Sequence, residues 1–227
     1  MEQLQESNEE QRSSALAEAL ERPLVLASAS PRRSELLRQV GLDFEIKVSD
    51  AAEDAEAPGL TPGDVAVRHA RRKAMSVASD VPGRVVLGAD TVVVLDGRLL
   101  GKPADAEEAR EMLRALSGRE HEVITAVAVA LGRGGTARVL VEDRSRTRVI
   151  FRDLSENEIE RYVNTGEPMD KAGAYGIQGR GALLVREIHG CYFTVVGLPL
   201  SLTWEMLQRL SLGGSRQTRG PRGVRGP

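Results

Sequence analysis

LVLASASPRRSELLRQVG, residues 24–41, runs an apolar stretch into a small polar turn and then a helix. Leu24, Val25, Leu26 and Ala27 read as a buried strand. Ser30 and Pro31 suit the N-cap and first position of a helix whose apolar residues are Leu36, Leu37 and Val40, and Gly41 suits its end. Arg32 and Arg33 therefore fall in the first turn, where the helix already presents partial positive charge. Each is disfavoured there by roughly 0.3–1 kcal/mol. A bound anion would offset that cost. Forked guanidinium groups, the first free N–H groups of a helix and the hydroxyls of Ser28 and Ser30 are the donors that phosphate oxygens take. The alternative is two arginines that reach into solvent. The loop is not a P-loop, because the glycines and the Gly-Lys-Ser/Thr ending are missing.

Outward from this unit, strands and helices alternate. Phe44 to Val48 reads as a strand, and Thr61 with Asp64 opens a helix that carries Val65, Ala70, Ala74 and Val77. RVVLGADTVVVLDGRLLGKP, residues 84–103, is a strand turning through Asp96-Gly97 into a hairpin partner. A helix from Asp105 to Leu116 stops at Gly118, and two longer strands flank Gly134-Gly135. Ser155 and Glu158 box the start of the next helix. A strand from Ala182 to Ile188 and a helix through Trp204, Leu207 and Leu210 close the pattern. Helices interleaved with long hairpins and single strands indicate an α/β fold with a mixed, twisted sheet flanked by helices. Residues 1–22 are a polar, acidic extension, 23–212 one domain, and 213–227 a disordered tail rich in Arg, Gly and Pro.

Composition removes several classes of function. The 31 basic and 33 acidic side chains leave a net charge of −2, so affinity for a polyanion has to come from local patches. Three Phe, three Tyr and one Trp are too few for a single-strand-binding platform, and nucleic acid is not an expected partner. Cys191 is the only cysteine, which excludes a disulfide framework and a cysteine-built zinc site and points to the cytoplasm. The acidic start has no basic and apolar leader, and no apolar run reaches about 18 residues, so neither export nor a membrane is expected.

Asp90 follows the run VVLGA, which puts a carboxylate at the end of an apolar strand, where the crevice of an α/β sheet opens. It is a candidate general base or metal ligand, or a turn residue satisfying local backbone donors. Gly101 and Pro103 flank Lys102 and would hold it as a fixed point charge. GEPMDKAGAYGIQGRG, residues 166–181, sets Glu167, Asp170, Lys171 and Gln178 among glycines with neither helical nor strand period. Carboxylates and a lysine in such a segment suit Mg²⁺ and phosphate, although a flexible loop has the same glycine content. His69 reads as helix surface, His189 as turn and His121 as structural. The three have no metal-ligand spacing, and no Ser-His-Asp arrangement is present.

LASASPRRSELL, GADTVVVLDGRLLGKP, SGREHEVITAV, GEPMDKAGAYGIQGRG and VVGLPL occur in an order and spacing that resembles the Maf proteins, over about Leu24 to Leu210. The resemblance implies an inosine triphosphatase-like α/β fold with a cleft between two lobes. It also implies a nucleoside triphosphate pyrophosphatase that cuts between the α- and β-phosphates with a divalent cation, Mg²⁺ or Mn²⁺, in a housecleaning role. By this resemblance Asp90 is the proton acceptor. Arg32, Thr91 and Gln178 match the positions that mark the branch acting on dTTP and UTP. Ser28, Arg33, Lys73, Lys102 and Lys171 match substrate-binding positions of the cleft, and Glu53 with Asp170 match candidate metal ligands. Ala52 stands where the family often has an acid, and Thr194 where it often has Asn. The resemblance also admits a 7-methyl-GTP pyrophosphatase, or a regulator of septum formation acting by contacts, for which the Arg-rich tail is the support. Family members are often homodimers.

Overall fold

VVLGADTVVVL folds as one continuous strand, β3 (Val85–Leu95), and the sheet is organised around its two edges. The computed structural model describes residues 21–51 and 59–215. The N-terminal extension up to residue 20, Glu53 and the tail from residue 216 lie outside the described residues. One edge of β3 pairs along almost its whole length with β5 (Glu120–Arg133), from Val85↔Leu131 to Val94↔Glu122, antiparallel. The other edge is shared. β1 (Leu24–Leu26) lies parallel to it at Val86 and Leu87, and β4 (Arg98–Leu100) antiparallel at Val93 to Leu95. Between those two partners, Gly88 to Val92 have a strand neighbour on the β5 side alone. Asp90 and Thr91 sit in that gap. The reading of Asp90 as the end of a strand is thus corrected: β3 runs on past it, and the neighbouring strand β1 is what stops.

β2 (Phe44–Ile46) adds a parallel strand outside β1, while β6 (Thr136–Phe151) and β7 (Val185–His189) extend the sheet antiparallel beyond β5. The result is a seven-stranded mixed sheet of order β2-β1-β3-β5-β6-β7 with β4 beside β3. Asp96 and Gly97 take φ of 50° and 77° at the β3–β4 turn, the left-handed pair that a two-residue hairpin requires.

The period of two in β3 sorts its side chains between layers. Val86, Val92 and Val94 face α2 (Pro62–Ser79), which meets them with Ala66, Ala70, Ala74 and Val77. A Cβ at Gly88 would lie 2.4 Å from the Ala70 carbonyl oxygen, so helix and strand are in backbone contact there. The opposite face carries two apolar clusters side by side. Val85, Leu87 and Ala89 pack with Leu36 and Leu37 of α1 (Pro31–Gln39) and Met206 and Leu207 of a C-terminal helix. Val93 and Leu95 pack with α3 (Ala106–Leu116) and α4 (Glu156–Val163). Thr91 and its β5 partner Thr125 stand at the join.

Three local expectations change. Gly179 to Leu184 form 3₁₀ turns, so β7 starts at Val185 rather than Ala182. A short helix, α5 (Tyr192–Val196), precedes Gly197 with no sequence signal to announce it. The last helix, α6 (Leu200–Ser215), runs three residues past the boundary placed at 212. Among the described residues no helix is long and apolar enough to cross a membrane.

Candidate active site

At the gap in the β3 edge lies a cleft of about 580 Å³. Ser28, Arg32, Arg33, Lys73, Asp90, Thr91, Lys102, Asp170, Lys171 and Gln178 all line it. Each site residue singled out in the sequence is therefore in one place, except Glu53, which is outside the described residues. The walls draw on both apolar clusters: Ile177 and Val196 come from one, Val93, Val123 and Tyr175 from the other.

Asp90 is buried, and α2 supplies both of its described side-chain partners. Lys73 Nζ donates to Oδ1 at 2.6 Å, and His69 Nδ1 lies 3.2 Å from Oδ2. Burial pushes the carboxyl pKa up, but the His69 hydrogen bond and the charges of Lys73 and Arg33 outweigh it and hold the group below the usual aspartate range. Asp90 is accordingly an ionised acceptor at neutral pH. His69 on the helix surface is the second correction: the residue is only 6% exposed. The signal was present, because the stripe Ala66, Ala70, Ala74 and Val77 carries positions 69 and 73 on the same buried face.

The two arginines of α1 divide. Arg33 is built into the wall, donating from Nε to the Gly197 carbonyl (2.9 Å), from Nη1 to Ser28 Oγ (3.0 Å) and from Nη2 to Thr91 Oγ1 (3.3 Å). Thr91 Oγ1 is 2.9 Å from Thr125 Oγ1, and Thr125 donates to the Thr194 carbonyl at 2.6 Å. Because Thr125 spends its only proton on that carbonyl, Thr91 is the donor between the two hydroxyls. A chain thus runs from Arg33 through two threonines to the middle of α5. Thr194 itself is fully buried, and its hydroxyl ties α5 to Ser145 of β6 at 2.7 Å. Arg32 reaches instead across the cleft to Asp170 Oδ2 at 3.5 Å. Ser30 takes the N-cap position but makes no side-chain cap bond, so the first-turn N–H groups keep their capacity for an anion.

The glycine-rich segment is a fixed wall. The Glu167 carboxylate accepts from Tyr162 Oη (3.0 Å) and from the N–H groups of Arg180 and Gly181 (3.1 Å each), closing residues 166–181 on themselves. The same phenol accepts the Gly176 N–H at 3.2 Å, and the Gly173 N–H bonds the Gly101 carbonyl at 2.9 Å, which ties the wall to the Lys102 loop. A Cβ at Gly181 would sit 2.1 Å from the Gly176 carbonyl oxygen. Glu167 therefore holds the backbone of this wall in place. Asp170 is exposed and bonds Lys171 Nζ at 2.6 Å through Oδ1, while Oδ2 has the long contact to Arg32. It retains acceptor capacity toward the cleft. No group of three or more His, Cys, Asp or Glu that could cage a metal occurs among the described residues. That donor set fits a hard cation that shares its ligands with a phosphate chain, since Mg²⁺ takes one or two carboxylates plus substrate oxygens.

Sheet, edge gap and basic cleft define an α/β protein built around one buried carboxylate in a cleft lined by arginines and lysines. The family model described as Maf-like protein matches residues 23–210, and the chain belongs to the Maf family. Proteins named dTTP/UTP pyrophosphatase resemble it closely. That of Symbiobacterium thermophilum is 54% identical over 184 residues, covering 81% of this chain and 92% of its own. Those of Pelotomaculum thermopropionicum and Dictyoglomus thermophilum are 50% and 46% identical, each covering at least 82% of this chain and 95% of its own.

Proposed function

We propose that this protein hydrolyses dTTP and UTP to the nucleoside monophosphate and pyrophosphate, with Asp90 as proton acceptor. The observation that carries the reading is the convergence of Arg32, Arg33, Lys73, Lys102 and Lys171 around one buried, ionised carboxylate in a single cleft. Cations in this number suit a triphosphate, and forked guanidinium groups beside helix N–H groups bind it in a defined orientation.

A water between Asp90 and the α-phosphorus attacks through its oxygen. The bond from the α-phosphorus to the bridging oxygen breaks, pyrophosphate leaves with the bond's electrons, and the water proton passes to the Asp90 carboxylate. Asp90 orients the water and takes its proton, and the surrounding cations stabilise the charge that builds on the α-phosphate oxygens and on the departing pyrophosphate. Lys73 has three donors, so it can serve Asp90 and a phosphate oxygen together. Mg²⁺ or Mn²⁺ bound with the triphosphate supplies charge neutralisation, and Asp170 with Glu53 are the carboxylates that would hold it.

Thr91, Gln178 and Arg32 line the same cleft and are the residues we assign to pyrimidine selection. Thr91 acts through its grip on Arg33. A polar readout of this kind rejects a base that leaves its groups unpaired more strongly than apolar shape does. A single cysteine, Cys191, accords with a reducing cytoplasm as the working compartment.

Pyrophosphate release measured with Mg²⁺ or Mn²⁺ across dTTP, UTP, modified pyrimidine triphosphates and 7-methyl-GTP tests the reading. Turnover of the pyrimidine nucleotides is expected, and none with any of them overturns it. Asp90→Asn should remove turnover by about a hundredfold or more and leave nucleotide affinity largely intact. A fully active Asp90→Asn enzyme would refute the base assignment.

A further inference from the structure

We infer that His69 is a positioning residue for Asp90, fixing the plane of the carboxylate from the helix side; the inference rests on the reading of Asp90 as proton acceptor. A carboxylate gripped at one oxygen can still turn about its Cβ–Cγ bond. Asp90 is gripped at both. Lys73 Nζ holds Oδ1 at 2.6 Å and His69 Nδ1 holds Oδ2 at 3.2 Å. The two donors stand four residues apart on α2, one helical turn, so they reach the carboxylate from neighbouring points on one rigid surface. The reach is set by Gly88. The strand and helix backbones touch there, and Asp90, two residues on, points to the same face. An ionised carboxylate only accepts, so His69 Nδ1 carries a hydrogen in this arrangement.

All three residues are at most 8% exposed, so water cannot replace a lost donor freely. The neighbouring apolar positions on this face of α2 are alanine and valine, and an apolar side chain at position 69 would continue them. What an apolar side chain cannot do is hold Oδ2. The charged groups that act on Asp90 are Lys73 from α2 and Arg33 from α1, with His69 its third partner, while Arg32, Lys102, Glu167, Asp170 and Lys171 line the same cleft. Without His69, the cations remain and the carboxylate stays bound at Oδ1, but its second oxygen is released and the acid form becomes easier to reach.

The test compares His69→Leu, which fills the site without a donor, with His69→Asn, whose amide nitrogen can take the place of Nδ1. Pyrophosphate release from dTTP or UTP is followed against pH, with thermal melting to confirm that both variants are folded. For His69→Leu, kcat should fall about tenfold or more while KM stays within about threefold, because the loss is one of alignment at the reacting centre and not of nucleotide binding. Its acid limb should move to higher pH, since removing a donor to the carboxylate raises the pKa of the group that must be ionised. His69→Asn should recover most of kcat. Wild-type kcat and an unmoved acid limb in His69→Leu overturn the inference, as does an equal loss in both variants, which would make the residue merely structural. The carboxyl carbon of Asp90, titrated by NMR, separates this from the proposed activity. If His69→Leu raises the Asp90 titration in a protein that turns over no nucleotide, the positioning stands and the functional reading fails. If the titration does not move, the positioning fails whatever the activity.

Discussion

Thr125 is fully buried and joins Thr91 to the Thr194 carbonyl, although nothing in the sequence singled it out. Its importance comes from where it stands in a line of hydrogen bonds. Thr125→Val keeps the shape of the side chain but leaves the Thr194 carbonyl without that donor and Thr91 without its acceptor. The expected cost is about 1–3 kcal/mol of stability, the usual penalty for a stranded buried polar group, read as a lower urea midpoint. Arg33 should also be held less firmly, so KM for the triphosphate should rise more than kcat falls. The two arginines that looked equivalent in SASPRR should separate in the same assay. Arg33→Ala removes three wall contacts and should weaken nucleotide binding for every substrate. Arg32→Ala removes a link between α1 and the glycine-rich wall and should change the ratio of kcat/KM between dTTP and 7-methyl-GTP. Equal effects of both on all substrates would contradict the division of roles.

At the scale of elements, the contact between α2 and β3 governs the site. Gly88→Ala would push a methyl group to 2.4 Å from the Ala70 carbonyl oxygen and 2.7 Å from the Ala74 nitrogen, so the helix has to retreat. Overpacking of this kind costs about 1–3 kcal/mol. The retreat carries His69 and Lys73 away from Asp90 together, so chemical denaturation and kcat should both register it. Unchanged kcat in the Gly88→Ala enzyme would mean that the carboxylate does not depend on this contact. Much of the element pattern was legible beforehand. The boxes at Thr61-Asp64 and Ser155-Glu158 and the Asp96-Gly97 turn are local chemistry, and each formed as its residues dictate. The 3₁₀ turns of residues 179–184 and the helix α5 were not legible, because tertiary partners stabilise them. Glu167 accepts the N–H groups of Arg180 and Gly181 across the loop, and Thr125 and Ser145 bind the two ends of Thr194.

For the whole molecule the buried His121 sets a limit in acid. Its Nε2 lies 2.7 Å from Tyr175 Oη, its ring meets Phe151 and Tyr175 edge to face, and its Nδ1 has no partner. The imidazolium would need two acceptors here, so burial lowers its pKa from 6.5 to about 4. The unfolded chain binds the proton near 6.5 and the folded protein only near 4. The contribution of His121 is therefore complete above pH 6.5 and is lost as pH falls toward 4. Between pH 7.5 and 5 the loss amounts to about 2 kcal/mol. Urea midpoints at the two pH values should show it in the wild type and lose most of it in His121→Phe. An identical pH dependence in both proteins would assign the acid sensitivity elsewhere.

Local sequence by itself determined the strand-turn-helix start, the mixed α/β order and the placing of Arg32 and Arg33 in the first turn of a helix, since hydrophobic period and caps act within a few residues. Family resemblance in the loops singled out the residues of the cleft. Only the tertiary structure decided that β1 ends while β3 continues, which opens a gap at Asp90. The same packing set His69 and Lys73 against the Asp90 carboxylate and made Glu167 a clasp for the backbone. These outcomes depend on strand register and on contact between distant backbones. Neither is encoded in any one segment, because each is a property of two surfaces meeting.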